Sequence, residues 1–307
     1  MNKIISRLLQ RIPYIKELYA KIAHLQNVLE QYQLGWPPGH FYSPIPNLEE
    51  IKAREEKIFN NIPRQIAGIN LNEDEQINLL KQLSAYYSEQ PFQDQKQKHL
   101  RYFFDNPNYS YGESIILYSL IRHIQPKKII EIGSGYSSGV ILDTNELFFN
   151  NSISCVFIEP YPNLLYSLLK EGDQERIEIV DKNLQDIDPQ FFSSLTAGDI
   201  LLIDSTHVSK VDSDVNHILF DILPSLNPGV YVHFHDICYP FEYPKQWVYQ
   251  GRAWNEAYIL RAFLQYNTSF EIVIFNSFLG YFCLDLLQQY LPLCAKNPGI
   301  SIWLKKV

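Results

Sequence analysis

The stretch "IIEIGSGYSSG", Ile129–Gly139, passes from an apolar run into Gly133-Ser134-Gly135 and then into a segment that reads as helix. Glycines at such a junction allow a tight turn and let a ligand approach the backbone. The same style repeats outward from it. Short apolar strands are expected at about 128–132, 154–158, 177–180, 200–203, 230–234 and 271–275. Helices are expected between them, near 138–148, 162–170, 189–194, 213–225 and 254–266. Strands apolar on both faces suit a parallel sheet covered by helices. Right-handed crossovers then give an α/β, doubly wound sheet.

The chain before Pro126 reads differently. Leu8, Ile15, Ile22 and Leu29 recur every seven residues, with Ile12, Leu18 and Leu25 between them. That is a helical stripe, which Pro13 is expected to split. Lys3, Arg7, Arg11, Lys16 and Lys21 make the segment basic. It suits a helix packed on its own domain, a homo-oligomer seam, or weak docking on an anionic membrane. In "GWPPGHFYSPIPN", Gly35–Asn47, four prolines and two glycines forbid regular structure. Helical patterns resume at about 48–60, 74–88 and 111–124. Two regions are expected: a helical N-terminal region, 1–100, for oligomerisation or as a lid, and a ligand-binding domain, 101–307.

Bulk properties exclude several classes. The 307 residues are 46% hydrophobic and 20% charged, an ordinary globular composition. A net charge of -8 argues against a nucleic-acid partner, which needs a concentrated basic surface. Cys155, Cys238, Cys283 and Cys294 show no C-x-x-C spacing, so a reduced, cytoplasmic setting without structural zinc is expected. No apolar run reaches the length of a transmembrane span, and no secretory signal is recognisable.

In a doubly wound sheet, ligands bind at the carboxyl ends of the strands. The first tip offers Glu131, Gly133, Ser134, Gly135, Tyr136 and Ser137. It is an incomplete dinucleotide fingerprint, because Ser138 holds the sixth position of G-x-G-x-x-G. Glu159 ends the second strand, where a carboxylate can accept both hydroxyls of a ribose. The third tip carries Asp181, Asn183, Gln185 and Asp186. Each could bond an adenine amino group, although each suits a turn or cap better than a ligand contact. The fourth tip holds Asp204 and His207. The fifth, "YVHFHDI", Tyr231–Ile237, holds His235 and Asp236. Adjacent tips bring these four together. Carboxylates with imidazole suit Mg²⁺ or Mn²⁺, and an imidazole near a substrate hydroxyl suits a general base. His233, among apolar neighbours, reads as a core histidine. Beyond Asp236, Tyr239, Phe241, Tyr243, Trp247, Tyr249 and Trp254 crowd one loop. It is either a lid packed on its own core or a surface for stacking a sugar or aromatic acceptor. Tyr243, Trp254 and Asn255 are candidate substrate contacts, with Glu256 within reach and His40 and Tyr42 closing the other side.

Together these features resemble the class I S-adenosylmethionine-dependent methyltransferases, over roughly Ser110 to Phe282. The resemblance rests on "EIGSG", Glu159, "DILLIDSTH" and "LPSLNPGVYVHFHDI". In Leu226-Asn227-Pro228-Gly229-Val230 a valine replaces the second glycine of the family's L-x-P-G-G turn. "FEIVIFNSFLGYF" looks like the antiparallel strand pair that ends the family's sheet. The resemblance implies a Rossmann-like, mostly parallel sheet with an antiparallel final strand. It implies S-adenosyl-L-methionine, held by the first-tip residues with Glu159, Asn183, Gln185 and Asp204. Asp204 and His235-Asp236 resemble the metal positions of cation-dependent O-methyltransferases, although His235 departs from the usual acid or amide. The D-x-x-H of Asp204 and His207 looks like that of macrolide-sugar O-methyltransferases, implying a metal-ligand role for Asp204 and a base role for His207. The expectation is a transferase acting on a hydroxyl of a small molecule or sugar, with His207, His235 and Asp236 catalytic. A nicotinamide-dependent oxidoreductase using the same turn, and a non-catalytic oligomeric scaffold, are the alternatives.

Overall fold

The structure, a computed structural model, describes residues 13–32 and 35–307. Two compact units divide the chain: residues up to Asn61 with Lys245–Ala253, and Ile62–Pro244 with Trp254–Val307. The smaller unit holds α1 (Pro13–Tyr32), α2 (Leu48–Ala53), α3 (Glu55–Phe59) and α9 (Lys245–Tyr249). Pro13 takes the first helical position, where its missing N–H costs nothing. Leu8, Ile12 and the basic Lys3, Arg7 and Arg11 lie outside the described residues. Asn47 caps α2 by accepting the Glu49 N–H at 3.0 Å. Glu55 ties α3 to α9 through Lys245 and Tyr249.

In the larger unit come α4 (Glu73–Tyr87), α5 (Tyr111–Ile124), β1 (Lys128–Ile132), α6 (Tyr136–Phe149), β2 (Ser154–Ile158), α7 (Asn163–Leu168), β3 (Glu178–Val180) and β4 (Ile200–Ile203). Then follow α8 (Asp214–His217), extended by a π-helical turn (Ile218–Ile222), and β5 (Tyr231–His235). After α9 the chain forms α10 (Glu256–Leu264), β6 (Phe270–Phe275), α11 (Asn276–Phe282), α12 (Leu284–Tyr290), α13 (Pro292–Lys296) and β7 (Ser301–Lys306). The sheet order is β3-β2-β1-β4-β5-β7-β6. β1 to β5 pair in parallel, and β7 runs antiparallel to both β5 and β6. This is a Rossmann-like, mostly parallel sheet with an antiparallel final strand. Ile129, Ile130, Phe157, Ile200, Leu201, Val232 and Phe234 are all fully buried in it. Each such side chain stabilises the fold by about 1.5–3 kcal/mol.

All six expected strands form, with bounds shifted by no more than one residue. The expected antiparallel pair within "FEIVIFNSFLGYF" is corrected: its first half is β6, and its second half is α11. The antiparallel strand is β7, "SIWLKK", which enters between β5 and β6. A short apolar run does not reveal by periodicity whether it is strand or helix. The compact unit also begins at Ile62, well before residue 101. Leu80 and Leu83 of α4 are fully buried, and Gln76 accepts the Phe275 N–H of β6 at 2.8 Å.

Candidate active site

β1 and β4 meet at Gly133. Its φ of +78° lies in the left-handed region, and a Cβ there would collide with the Asp204 carbonyl. Glycine is therefore required where the two tips touch. Glu159, at the end of β2, accepts the Ser134 N–H at 3.2 Å and the Tyr161 N–H at 2.8 Å. Ile132, Gly133, Glu159, Tyr161, Asn183 and Gln185 belong to the wall of a cleft of about 310 Å³ that reaches Asp204. Within the turn, Gly135 donates its N–H to the Ser138 hydroxyl at 3.1 Å. That hydroxyl donates in turn to Glu131. Burial pushes the Glu131 carboxyl up to about 8, against the pull of the Ser137 and Ser138 hydroxyls. Glu131 Oε1 and Ser134 Oγ are buried without a partner, so both retain hydrogen-bonding capacity for a polar ligand. Tyr136 and Ser137 open α6; Tyr136 packs its ring edge-on against Phe103 at 5.7 Å. Gln185 donates its amide N–H to the Asp212 carbonyl at 2.7 Å, which leaves its amide oxygen able to accept from a ligand.

The fourth and fifth tips form a cluster of imidazoles and carboxylates. His207 Nδ1 lies 2.8 Å from Glu256 Oε2, at the start of α10. The other glutamate oxygen accepts from Ser205 Oγ at 2.8 Å. The backbone closes the same turn, because Asn255 and Glu256 both donate N–H to the His207 carbonyl, at 3.1 and 3.2 Å. His207 Nε2 then faces Asp204 Oδ1 at 3.4 Å and Asp236 Oδ2 at 3.7 Å. His235 places Nδ1 3.4 Å from the same Asp204 oxygen and Nε2 3.2 Å from Glu113 of α5. Burial opposes protonation of His207, but Asp204 and Glu256 outweigh it and raise the imidazole to about 9. His235 is likewise raised against burial by Asp204, Glu113 and Asp236. Asp204 falls well below the carboxylate range because the two histidines outweigh its burial. Burial raises Asp236. His207 and Asp236 both have positive φ, 60° and 57°, in the region non-glycine residues avoid. Such strain gathers where side chains are aimed for function.

The four expected tip residues are thus brought together, and the His233 ring stacks 6.4 Å from that of His235. The His233 ring is buried against Trp303, 4.8 Å between centroids, and burial lowers it to about 3. Asp204, His235 and Asp236 were expected to hold a divalent ion. Among the described residues no group of three His, Cys, Asp or Glu side chains is disposed to do so. The carboxylates find their counter-charges in the two imidazoles.

Two expected substrate contacts have polar atoms engaged within the protein. Tyr243 is 2% exposed, and its hydroxyl accepts the Ala257 N–H at 3.0 Å, so it supports α10. Asn255 bonds the Ser209 backbone in both directions, at 2.6 and 3.1 Å, and pins the loop that follows His207. Trp254 is half-buried with its ring 4.3 Å from that of His207. His40 and Tyr42 belong to the smaller unit, where Trp36 stacks on His40 at 4.2 Å. Glu113 carried no sequence signal, because nothing local marks a helix residue for a partner on β5. Glu256 was legible only as a carboxylate opening the helix after the aromatic loop.

Residues 130–237 match a family model described as a methyltransferase domain. An uncharacterized protein of Archaeoglobus fulgidus is 36% identical over 165 residues, 52% of this chain and 73% of that protein. With the sheet order and the glycine turn, these matches define a class I fold. The chain belongs to the class I S-adenosylmethionine-dependent methyltransferases. Among solved structures, S-adenosylhomocysteine-bound PaMTH1 of Podospora anserina is 13% identical, with a TM-score of 0.41, covering 85% of this chain and 95% of its own. The O-methyltransferase TomG of Streptomyces achromogenes is 18% identical, with a TM-score of 0.43, covering 77% and 91%. At these scores neither adds weight to the assignment. Among the described residues no helix is long and apolar enough to cross a membrane.

Proposed function

We propose that the chain methylates a hydroxyl oxygen of a small molecule or sugar, with His207 as general base and Glu256 as the carboxylate that orients it. The contact of His207 Nδ1 with Glu256 at 2.8 Å carries the reading. A carboxylate there keeps the proton on Nδ1 and leaves Nε2 as the basic nitrogen. S-adenosylmethionine, when bound, supplies a methyl already activated on a sulfonium sulfur and leaves as S-adenosylhomocysteine. The residues suited to hold it are the Gly133–Gly135 turn, Glu159 for the ribose and Asn183 for the base.

The chain's own work is then alignment and proton removal. Neutral His207 takes the acceptor's proton at Nε2 as the oxygen becomes a methyl ether. The imidazolium so formed lies among Glu256, Asp204 and Asp236, which stabilise its charge. Trp254, against the His207 ring, restricts its rotation and offers an aromatic surface beside the base. Asp204, with 46% of its side chain exposed, can accept a second hydroxyl of a sugar. The buried free thiols Cys155, Cys238, Cys283 and Cys294 suit a reducing compartment such as the cytoplasm.

Incubation with S-adenosylmethionine and a panel of sugars and phenols, with matched amines, tests the reading. Hydroxyl-dependent release of S-adenosylhomocysteine that fails in His207→Ala is expected. Turnover confined to amines, or retained in His207→Ala, overturns it.

A further inference from the structure

α1 carries none of the side chains invoked for methyl transfer, yet it shows a patterned apolar face. Leu18, Ile22, Leu25 and Leu29 are 45, 42, 63 and 58% exposed. Ile15 is half-buried. Ile15, Ile22 and Leu29 are seven residues apart, and Leu18 and Leu25 fall between them, so all five share one side of the helix. A stripe this narrow is the a/d seam of a coiled coil, not the wider face that packs onto a globular core. Tyr14 and Tyr19, also exposed, border it in the g and e places.

We propose that the seam is covered by α1 of a second copy of this chain, in a parallel, in-register, two-stranded coil. Isoleucine at two of the three a positions, Ile15 and Ile22, with leucine at both d positions is the combination that favours two parallel strands. In that arrangement a g side chain meets the partner's e side chain five residues further on. Tyr14 then meets Tyr19 and Lys21 meets Gln26, so no like charges face each other across the seam. Over α1, Lys16 and Lys21 are matched by Glu17 and Glu30, and Lys21 pairs with Glu17 at 3.6 Å. The seam covers little more than two heptads, so association depends on concentration.

Sedimentation of the full chain at up to about 100 µM tests the proposal. The mass is expected to approach twice 35.9 kDa. Leu18→Asp/Leu25→Asp is expected to hold it at one chain, with S-adenosylhomocysteine binding kept as proof of folding. Independently, Leu25→Cys is expected to cross-link two copies under mild oxidation, while Asn27→Cys, on the outer face, does not. A single-chain mass at every concentration, a dimer that survives the double substitution, or equal cross-linking at both positions overturns it. So does a wild-type protein of one chain mass that sediments with phosphatidylglycerol vesicles.

Discussion

His207 shares its Nδ1 proton with Glu256, so the pH dependence of the reaction is set by how strongly the surrounding acids hold the ring protonated. Only the neutral imidazole can accept a proton, and Asp204, Glu256 and Asp236 face this ring while His235 faces Asp204. kcat/KM is therefore expected to rise with pH toward about 9. Glu256→Gln removes one of the stabilising charges, so the ring should titrate at lower pH, and histidine NMR titration would show this without an acceptor. An unchanged titration would remove Glu256 from the role. His207→Ala should lower kcat by about 10²–10⁴. At Gly133, alanine would face both the positive φ and the Asp204 carbonyl. Calorimetry with S-adenosylhomocysteine should give no heat for Gly133→Ala, and normal affinity would refute the role assigned to the turn. Asp204, His207, His235 and Asp236 were legible from sequence because strand ends predict which residues converge. For Tyr243 and Asn255, an aromatic or amide at a loop position does not reveal in sequence whether its polar atom is already used.

The strands announced themselves as short apolar runs between turns, and the parallel register follows once helices alternate with them. β7 was missed for a different reason. "SIWLKK" follows an Asn-Pro-Gly turn and is short, and only its place between β5 and β6 makes it a strand. The helices of the sheet are held by a tie that is equally invisible in sequence. Arg101, 2% exposed, bonds Asp143 and Glu146 of α6 and Asp173 beyond α7, with contacts of 2.6–2.8 Å. Its own N–H and that of Tyr102 also end on Asp143. Removing one partner of a buried ion network leaves the others uncompensated, a loss of about 3–5 kcal/mol. Arg101→Met should lower the thermal midpoint markedly while leaving the His207 titration in place, because the network shares no residue with the imidazole–carboxylate cluster. A midpoint unchanged by the substitution would show that the carboxylates find other partners.

Across the whole molecule, the buried titrating groups combine into a stability profile whose sign can be worked out. His207 is raised from 6.5 to about 9, so the folded chain holds a proton that the unfolded chain has lost. Its contribution is complete below 6.5 and disappears as pH rises through 9. His235, raised by the same acids, acts in the same direction. Glu131, raised from 4.5 to about 8, folds most favourably when neutral, so it too costs stability as pH climbs toward 8. On the acid side His233 reverses the sign. It stays neutral in the fold down to about 3, whereas the unfolded chain takes up a proton below 6.5. Glu146 and Asp173, lowered by Arg101 and Lys170 against their burial, also lose their contribution in acid. The raised Asp143 and Asp236 act in the opposite direction. Between 6.5 and 8, then, His207, His235 and Glu131 all pull the same way. The thermal midpoint should change little between about pH 4.5 and 6.5, where His233 and Glu131 offset each other, and fall from there toward pH 9. Glu131→Gln, neutral at every pH, should flatten that fall below pH 8 while keeping its hydrogen bond to Ser138. Scanning calorimetry of both proteins across this range decides the matter: a midpoint that rises from 6.5 to 9, or a slope that Glu131→Gln leaves untouched, would mean that these buried groups do not hold their protons in the fold.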